Sequence, residues 1–577
     1  MDTRGFGLES DSTVNLRGIV NSSRTNVLVL VDGVRQNRIT GDEVHWQSVP
    51  VEQIERIEII RGGGGTIYGE GALAGVINIV TKQGGEKPLE TEEGFELGSF
   101  GWQKYHLAAR GRSEPLTYGV SYTRRLVDGH REFSWSRNTT ITAHSGLELK
   151  SLGRLAVNVL HSEDTTAFAG GLTLAESQTR REQAVIGRAG IFDDETDQVS
   201  TDLIVGPWEG FSGVLTMFWR KRLVDSLRSG LFTITPSQGL SLRSNYEWGG
   251  GPVKNLFING IELMDDKATT GTRGSPPEDE SHRKGYGLYV EDTLTLLERL
   301  SLVGGLRFDK FRYEESLSFP SFTGTLRFEG FSPKAGITYA VVPKTLDVFA
   351  AYSRPFKAPN VDDFAAQVPD FAGNVDLQPQ QADTYELGTR LTKAPLSLEA
   401  TWFYTRIDDE ILFNRLAGAL GQNQNFDTRR KGVELAAQFE APEPGVRGSV
   451  TYTLTDAEFR KGAFVSNTIP GTPTHLLNVG VGVSPVDSLW IDLDWQLVND
   501  YVRINDFANT LPRADNYGVL NLTIQYERPS VTVFFKIQNL TNEEYVAFQA
   551  SNASNLLGAG ENPMPPISFV GGITLKF

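Results

Sequence analysis

Apolar and polar residues alternate with a period of two along most of the chain. Leu489, Ile491, Leu493, Trp495 and Leu497 fall on one face, and Trp490, Asp492, Asp494 and Gln496 on the other. Leu300, Leu302, Gly304, Leu306 and Phe308 oppose Ser301, Gly305, Arg307 and Asp309 in the same way. Leu396, Leu398, Ala400, Trp402 and Tyr404 likewise oppose Ser397, Glu399, Thr401 and Thr405. Successive side chains of a strand point to opposite faces, so the pattern predicts strands with one apolar and one polar face. They run on as segments of about ten residues, bounded by Gly, Pro, Asp and Asn clusters, from near residue 95 to the end.

Alternation of this kind suits a soluble sandwich, with the apolar face as core, or a membrane barrel, with the apolar face on lipid and the polar face on a wet lumen. Aromatics near strand ends, namely Tyr286, Tyr289, Trp402, Tyr404, Trp490 and Trp495, favour the barrel because interfacial girdles require them. The last strand carries Ile567, Phe569, Gly571, Ile573, Leu575 and Phe577 on one face and so ends the chain on an aromatic. Val342–Leu346 predicts a tight turn, whereas Met264–His282, with Asp265, Asp266, Glu278, Asp279 and Glu280 around Pro276 and Pro277, predicts a long polar loop. Short turns at one end and long loops at the other are the outer-membrane pattern.

The first 86 residues read differently. Val27–Val31 predicts a buried strand ending in an Asp32-Gly33 turn, and Val51–Ile60 a short helix entering a strand. Arg61 is followed by Gly62, Gly63, Gly64 and Gly65, which forgo side-chain packing for dihedral freedom and predict an open turn. A small α/β domain is expected.

Composition narrows the chemistry. With no Cys, disulfides, thiolate catalysis and Cys-ligated metal are excluded, and four Met argue against a thioether copper path. The formal net charge of -16 argues against a general affinity for nucleic acid or anionic lipid surfaces. No apolar run approaches the ~20 residues of a spanning helix. Met1–Gly7 lacks the regions of a signal peptide.

The motifs are more specific. Val29–Val34, then Ile54–Gly62, then Tyr68–Lys82 resemble, in order and spacing, the plug of a TonB-dependent outer-membrane receptor. Tyr352–Pro359, Val375–Pro379, Tyr385–Gly388, Gly432–Leu435 and Asn539–Tyr545 are similar to the barrel motifs of that family. The resemblance implies an all-β transmembrane barrel of about 22 antiparallel strands with a small α/β plug domain in its lumen. It places the plug at residues 1–86, lacking its start and the TonB box, and the barrel at 87–577. Because family members carry a signal peptide, a TonB-contacting box and an opening plug strand before the first motif found here, the chain is expected to be N-terminally incomplete.

What the resemblance implies about function is active import of a scarce solute across the bacterial outer membrane, with energy delivered through TonB and its ExbB and ExbD partners. A ferric siderophore, the commonest family cargo, is the leading expectation, with cobalamin or haem as alternatives. A plugged barrel serving as a structural or surface-binding subunit is the alternative of another class. No enzymatic activity, cofactor or nucleic-acid partner is expected; outer-membrane lipid is.

Candidate residues follow from the same reading. Family loops corresponding to the stretch after Gly33 face outward, so Gln36, Asn37, Arg38, His45 and Trp46 are candidates for holding a chelate; Gly41, Asp42 and Glu43 lie among them. Arg56 and Arg61 are expected to reach Glu386 and Glu434 across the plug–barrel interface. The glycine run lacks the Gly-Lys-Ser/Thr ending of a phosphate loop and reads as a turn packed on the barrel wall. No His lies between Pro359 and Val375, where haem receptors of the family place an axial ligand, so such a role would fall to a loop His such as His45 or His282. Asp193, Asp194, Glu195 and Asp197 fit either a calcium loop, as in cobalamin receptors, or a solvated loop, and no metal site is assigned.

Overall fold

The computed structural model describes residues 14–21, 24–40, 44–185, 187, 189–318, 321–365, 371–414, 421–441, 443, 445–549 and 560–577. Among them, twenty-two antiparallel strands close into a barrel, beginning with Glu90–Gly98 and ending with Ser568–Lys576. These two strands pair with each other, Val570 opposite Gly98, so no edge remains to template aggregation.

The outer face is apolar where lipid meets it: Leu302, Leu306, Phe308, Leu398, Trp402, Leu493, Trp495 and Phe569 are all well exposed. The lumen face is polar, and where the plug fills it, it is buried: Arg307, Asp309, Thr401 and Thr405 are nearly inaccessible. The strict period of two also corrects the aromatic reading. Tyr286, Trp402 and Trp495 face lipid, but Tyr289 and Trp490 point into the lumen, under the guanidiniums of Arg307 and Arg447 respectively.

Strands on one side outrun the membrane. Val253–Thr272 and Pro277–Leu296 each have 20 residues, about twice what a tilted strand needs to span hydrocarbon. The expected loop over Met264–His282 is therefore mostly ribbon, and only residues 273–276 connect the two strands. Asp193, Asp194, Glu195 and Asp197 similarly lie within the strand Gly190–Trp208 and not in a loop. Hydrogen bonding along a hairpin continues past the hydrocarbon boundary as long as both faces are polar enough for water, which is why polarity alone misread these segments.

The plug is a four-stranded sheet in the order Val34–Arg35, Val27–Val31, Gly75–Thr81, Ile54–Arg61, the central pair parallel. Val51–Gln53 forms one 3-10 turn leading into the edge strand. Val27, Val29, Val31, Leu73, Ile77 and Ile79 build the plug core, which continues onto Ala382 and Ile407 of the barrel. The plug sheet ends at Thr81 and the first barrel strand starts at Glu90.

Candidate functional site

The plug is latched by buried charge. Arg17 sits at a turn with φ 56°, followed by Gly18 at φ 70°, where any Cβ would come within 2.4 Å of the Thr472 side chain. This close approach lets Arg430 Nε and Thr472 Oγ1 donate to the Gly18 carbonyl at 3.0 and 3.3 Å. It also delivers the Arg17 guanidinium to Glu386 at 2.6 Å and Glu434 at 2.8 Å, over the ring of Phe403. Glu386 and Glu434 therefore do hold the plug, but not through the arginines expected. Arg56 is exposed and pairs with Glu58 and Glu55 on its own edge strand, and Arg61 is exposed as well. The outer edge of the plug sheet presents them to open space, whereas the turn at Arg17 is pressed against the wall. The local sequence does not single it out: Arg17 precedes Gly18, but Arg61 likewise precedes Gly62, and both glycines take a positive φ.

At the plug apex the candidates separate. Asn37 accepts from the Val29 N–H at 2.8 Å and donates to the Val27 carbonyl at 3.0 Å, so its amide pins the loop to the plug's own strand. Gln36 donates to the Val34 carbonyl and to Gln198 of the wall. Trp46 opens a 3-10 turn and packs on the plug core. Arg38 is half-buried, and Gly41–Glu43 lie outside the described residues. His45 is buried, its Nδ1 3.4 Å from Thr196 Oγ1 and 3.6 Å from Asp194. Burial pushes its imidazole down to about 4; Asp194 pulls upward, and Arg222, Arg38 and Arg125 push further down. Arg222 in turn holds Asp194 from Nε at 2.8 and 2.9 Å. His45 is thus neutral at pH 7, held so by burial and by the positive field of Arg222, Arg38 and Arg125.

Arg125 belongs also to a cavity of about 350 Å³ between the plug's Val51-Glu52 turn and the wall, reaching toward the loop end at His130 and Pro565. Lys104, Arg125, Lys536 and Gln538 line it together with Trp102 and Phe534. Lys104 crosses it to meet Glu52 of the plug and also Glu96 of the wall. Its lining comes from strands far apart in sequence that only barrel closure brings together, so no local motif marks it. Among the described residues, one group of acids and His at metal-ligand spacing occurs, His161, Glu195 and Asp197; it lies on the outer wall, away from this chamber.

Comparison with known proteins agrees with this architecture. Residues 93–540 match the family described as TonB dependent receptor-like, beta-barrel, and residues 3–76 match the TonB-dependent receptor plug domain. The vitamin B12 transporter BtuB of Vibrio cholerae serotype O1 is 25% identical over 551 residues, 91% of this chain and 81% of that protein. The probable TonB-dependent siderophore receptor PirA of Acinetobacter baumannii is 24% identical over 469 residues, 71% of this chain and 61% of that protein. The unliganded ferric citrate transporter FecA superposes with a TM-score of 0.83 at 17% identity, covering 98% of this chain and 92% of that one.

Proposed function

Because the chain belongs to the TonB-dependent receptor family, whose members are transporters and not enzymes, we propose that its cargo is a ferric siderophore. Transport across the outer membrane coupled to TonB comes with the family, and the structural-subunit alternative is set aside with it. ExbB and ExbD belong to the proposal as the inner-membrane source of work.

The observation that carries the cargo reading is the cavity lined by the cations Lys104, Arg125 and Lys536 together with Trp102 and Phe534, beside the plug apex where Arg38 and His45 lie. Carboxylate, catecholate and hydroxamate chelates present oxygen anions, which guanidiniums bind with charge-assisted hydrogen bonds. Trp102 and Phe534 offer apolar faces to catecholate rings. Of the apex residues, Arg38 and His45 are retained as cargo contacts; Asn37, Gln36 and Trp46 are read as supports, given their bonds to plug and wall.

Cobalamin is the second reading, favoured by BtuB relatives that align over most of the chain. Against it, the acidic stretch that would serve as a calcium loop is strand, with Asp194 engaged by Arg222. Haem has less support, since His45 faces Asp194 and His282 Nε2 donates to Asp265 at 2.8 Å.

Binding isotherms and cellular uptake with a ferric tris-catecholate, a ferric hydroxamate, ferric citrate, haem and cyanocobalamin test the assignment. One ferric chelate is expected to bind tightly, and Arg38→Ala with Arg125→Ala to weaken it at least tenfold, about 1.4 kcal/mol. Tight binding of cyanocobalamin with none of any ferric chelate overturns the reading.

A further inference from the structure

Loops normally run over a surface, because a buried backbone must find partners for its N–H and C=O groups. One connection of this barrel breaks that rule. Leu346–Ser353 climbs from a short turn and pairs with Gln380–Lys393, which descends beside it, but the chain between them leaves the wall and crosses the lumen against the plug. Phe356, Lys357, Ala358 and Asn360 are each 3% exposed or less. Pro355 and Pro359 fix their own φ and bias Arg354 and Ala358, which precede them, away from helix, so the segment is stiff as well as buried.

The wall supplies some of the partners this backbone needs, and the plug others. From the wall, the Ala382 N–H donates to the Pro355 carbonyl at 3.2 Å and the Tyr313 hydroxyl to the Pro359 carbonyl at 3.0 Å. From the plug, the Gly71 N–H donates to the Phe356 carbonyl at 3.3 Å, and the Ile39 carbonyl accepts from the Val361 N–H at 3.1 Å. Lys357 Nζ donates to Asn26 Oδ1 at 3.0 Å, and a Cβ on Gly65 would stand 3.1 Å from Pro355 Cβ. Asn26 immediately precedes the plug strand Val27–Val31, and Ile39 belongs to the apex, so the segment grips the plug at both places. It then forms the short helix Val361–Phe364, whose end is tied to the loop side: Asn423 Nδ2 donates to the Asp363 carbonyl at 3.1 Å, and the Asn374 N–H to the Phe364 carbonyl at 3.0 Å. Ile39 packs in one apolar cluster with Phe311, Tyr313, Phe356, Val361 and Phe364. Helix, connecting segment and plug apex thus share one packed surface.

We propose that residues 353–365 form a strap that couples the seating of the plug to the position of the helix Val361–Phe364 at the loop side of the lumen. With the plug seated, Ile39 and Asn26 hold the strap and its helix in place; with the plug drawn away, those ties are lost and the helix and the loop after it loosen. A coupling of this kind is reciprocal, so whatever fixes the helix also favours the seated plug. Val361 and Lys357 are positioning residues here, and the coupling does not depend on which cargo is carried.

Val361 is the first residue of its helix, and Asn360 before it is extended at φ -83° and ψ 166°. Val361→Pro therefore fits both positions while removing the N–H that Ile39 accepts from. Val361→Ala also trims the side chain but keeps that N–H. Because the chain has no Cys, Asp376→Cys, at an exposed position past the helix, carries a single nitroxide label on the full chain in detergent. Val361→Pro is expected to raise the mobility of the label severalfold over Val361→Ala, with both variants keeping the heat-modifiable gel mobility of a folded barrel. Arg17→Ala, which unlatches the plug from Glu386 and Glu434, is expected to raise it in the Val361→Ala chain and to add little in the Val361→Pro chain. That non-additivity is one that independent loosening of loop and plug does not produce. Should Arg17→Ala fail to fold, Glu434→Gln weakens the same latch and is read in the same way. Equal label mobility in Val361→Pro and Val361→Ala, or an unlatching effect of the same size in both, overturns the proposal.

Discussion

Arg17 carries its charge to a place where 2% of the side chain meets solvent, and Glu386 and Glu434 neutralise it there. Arg17→Ala leaves two largely buried carboxylates without their cation and is expected to destabilise plug seating by about 3 to 5 kcal/mol. Urea unfolding of the plug, followed by protease accessibility, measures this, and Arg56→Ala serves as the contrast with no expected change because Arg56 is exposed. His45 contributes a pH dependence. Its folded value of about 4 lies below the ordinary 6.5, so the unfolded chain binds the extra proton between them. Stability is accordingly full above pH 6.5 and lost as pH falls toward 4, by up to about 3 kcal/mol. The difference in melting temperature between wild type and His45→Gln across pH 4 to 7 is the readout; parallel curves would exclude His45 as the titrating group. Which arginine latches the plug was not legible in the sequence, since Arg17, Arg56 and Arg61 are all cations of the plug region, and only the fold says which one is pressed on the wall.

The glycine turn and the long ribbons illustrate what an element's neighbours decide. Gly62 has φ 71°, and a Cβ on Gly63 would stand 1.8 Å from Ser353 Oγ and 2.0 Å from Ser353 Cβ. The turn is thus shaped by the barrel strand it touches and needs no ligand. Gly63→Ala is expected to cost about 1 to 3 kcal/mol by overpacking, and Ser353→Gly in the same chain to restore part of it; chemical unfolding of the single and double variants shows whether they couple. Strands with lipid on one side, such as Leu300–Leu317, were legible from Leu302, Leu306 and Phe308 because two different solvents enforce the alternation. Beyond the membrane both faces meet water, the alternation of polarity fades, and 264–282 reads as loop although most of its backbone stays paired.

Across the whole molecule, plug and wall meet unevenly. Buried ion pairs hold the plug at Arg17, and Arg283 of the wall, itself paired with Asp266, comes within 3.9 Å of the plug's Glu70, whereas the flank beside Val51 and Glu52 is spanned by Lys104 across a cavity. Glu52→Ala is expected to loosen that flank and raise ionic conductance in planar bilayers severalfold over the wild type; an unchanged conductance places the seal elsewhere. The cavity's lining was beyond sequence reading for a physical reason: Lys104 and Lys536 share a space only because the cylinder closes.

That closure also sets an order of assembly. From Glu90–Gly98 onward, the long strands pair mainly with near neighbours in sequence and can zip as hairpins, each closing a short loop. The exception is Val570 with Gly98, whose joining spans nearly the entire polypeptide and carries the greatest loop-closure entropy. Loop-closure entropy makes such a contact the one expected to form last. On that order the plug, encoded first, is expected to be seated in the unfinished sheet when the final strand arrives, with the wall assembling around its stopper. Synthesis order thereby does part of the sealing, and a chain whose last strand is delayed exposes, for that interval, two unpaired edges and an uncovered plug to every other chain in the periplasm.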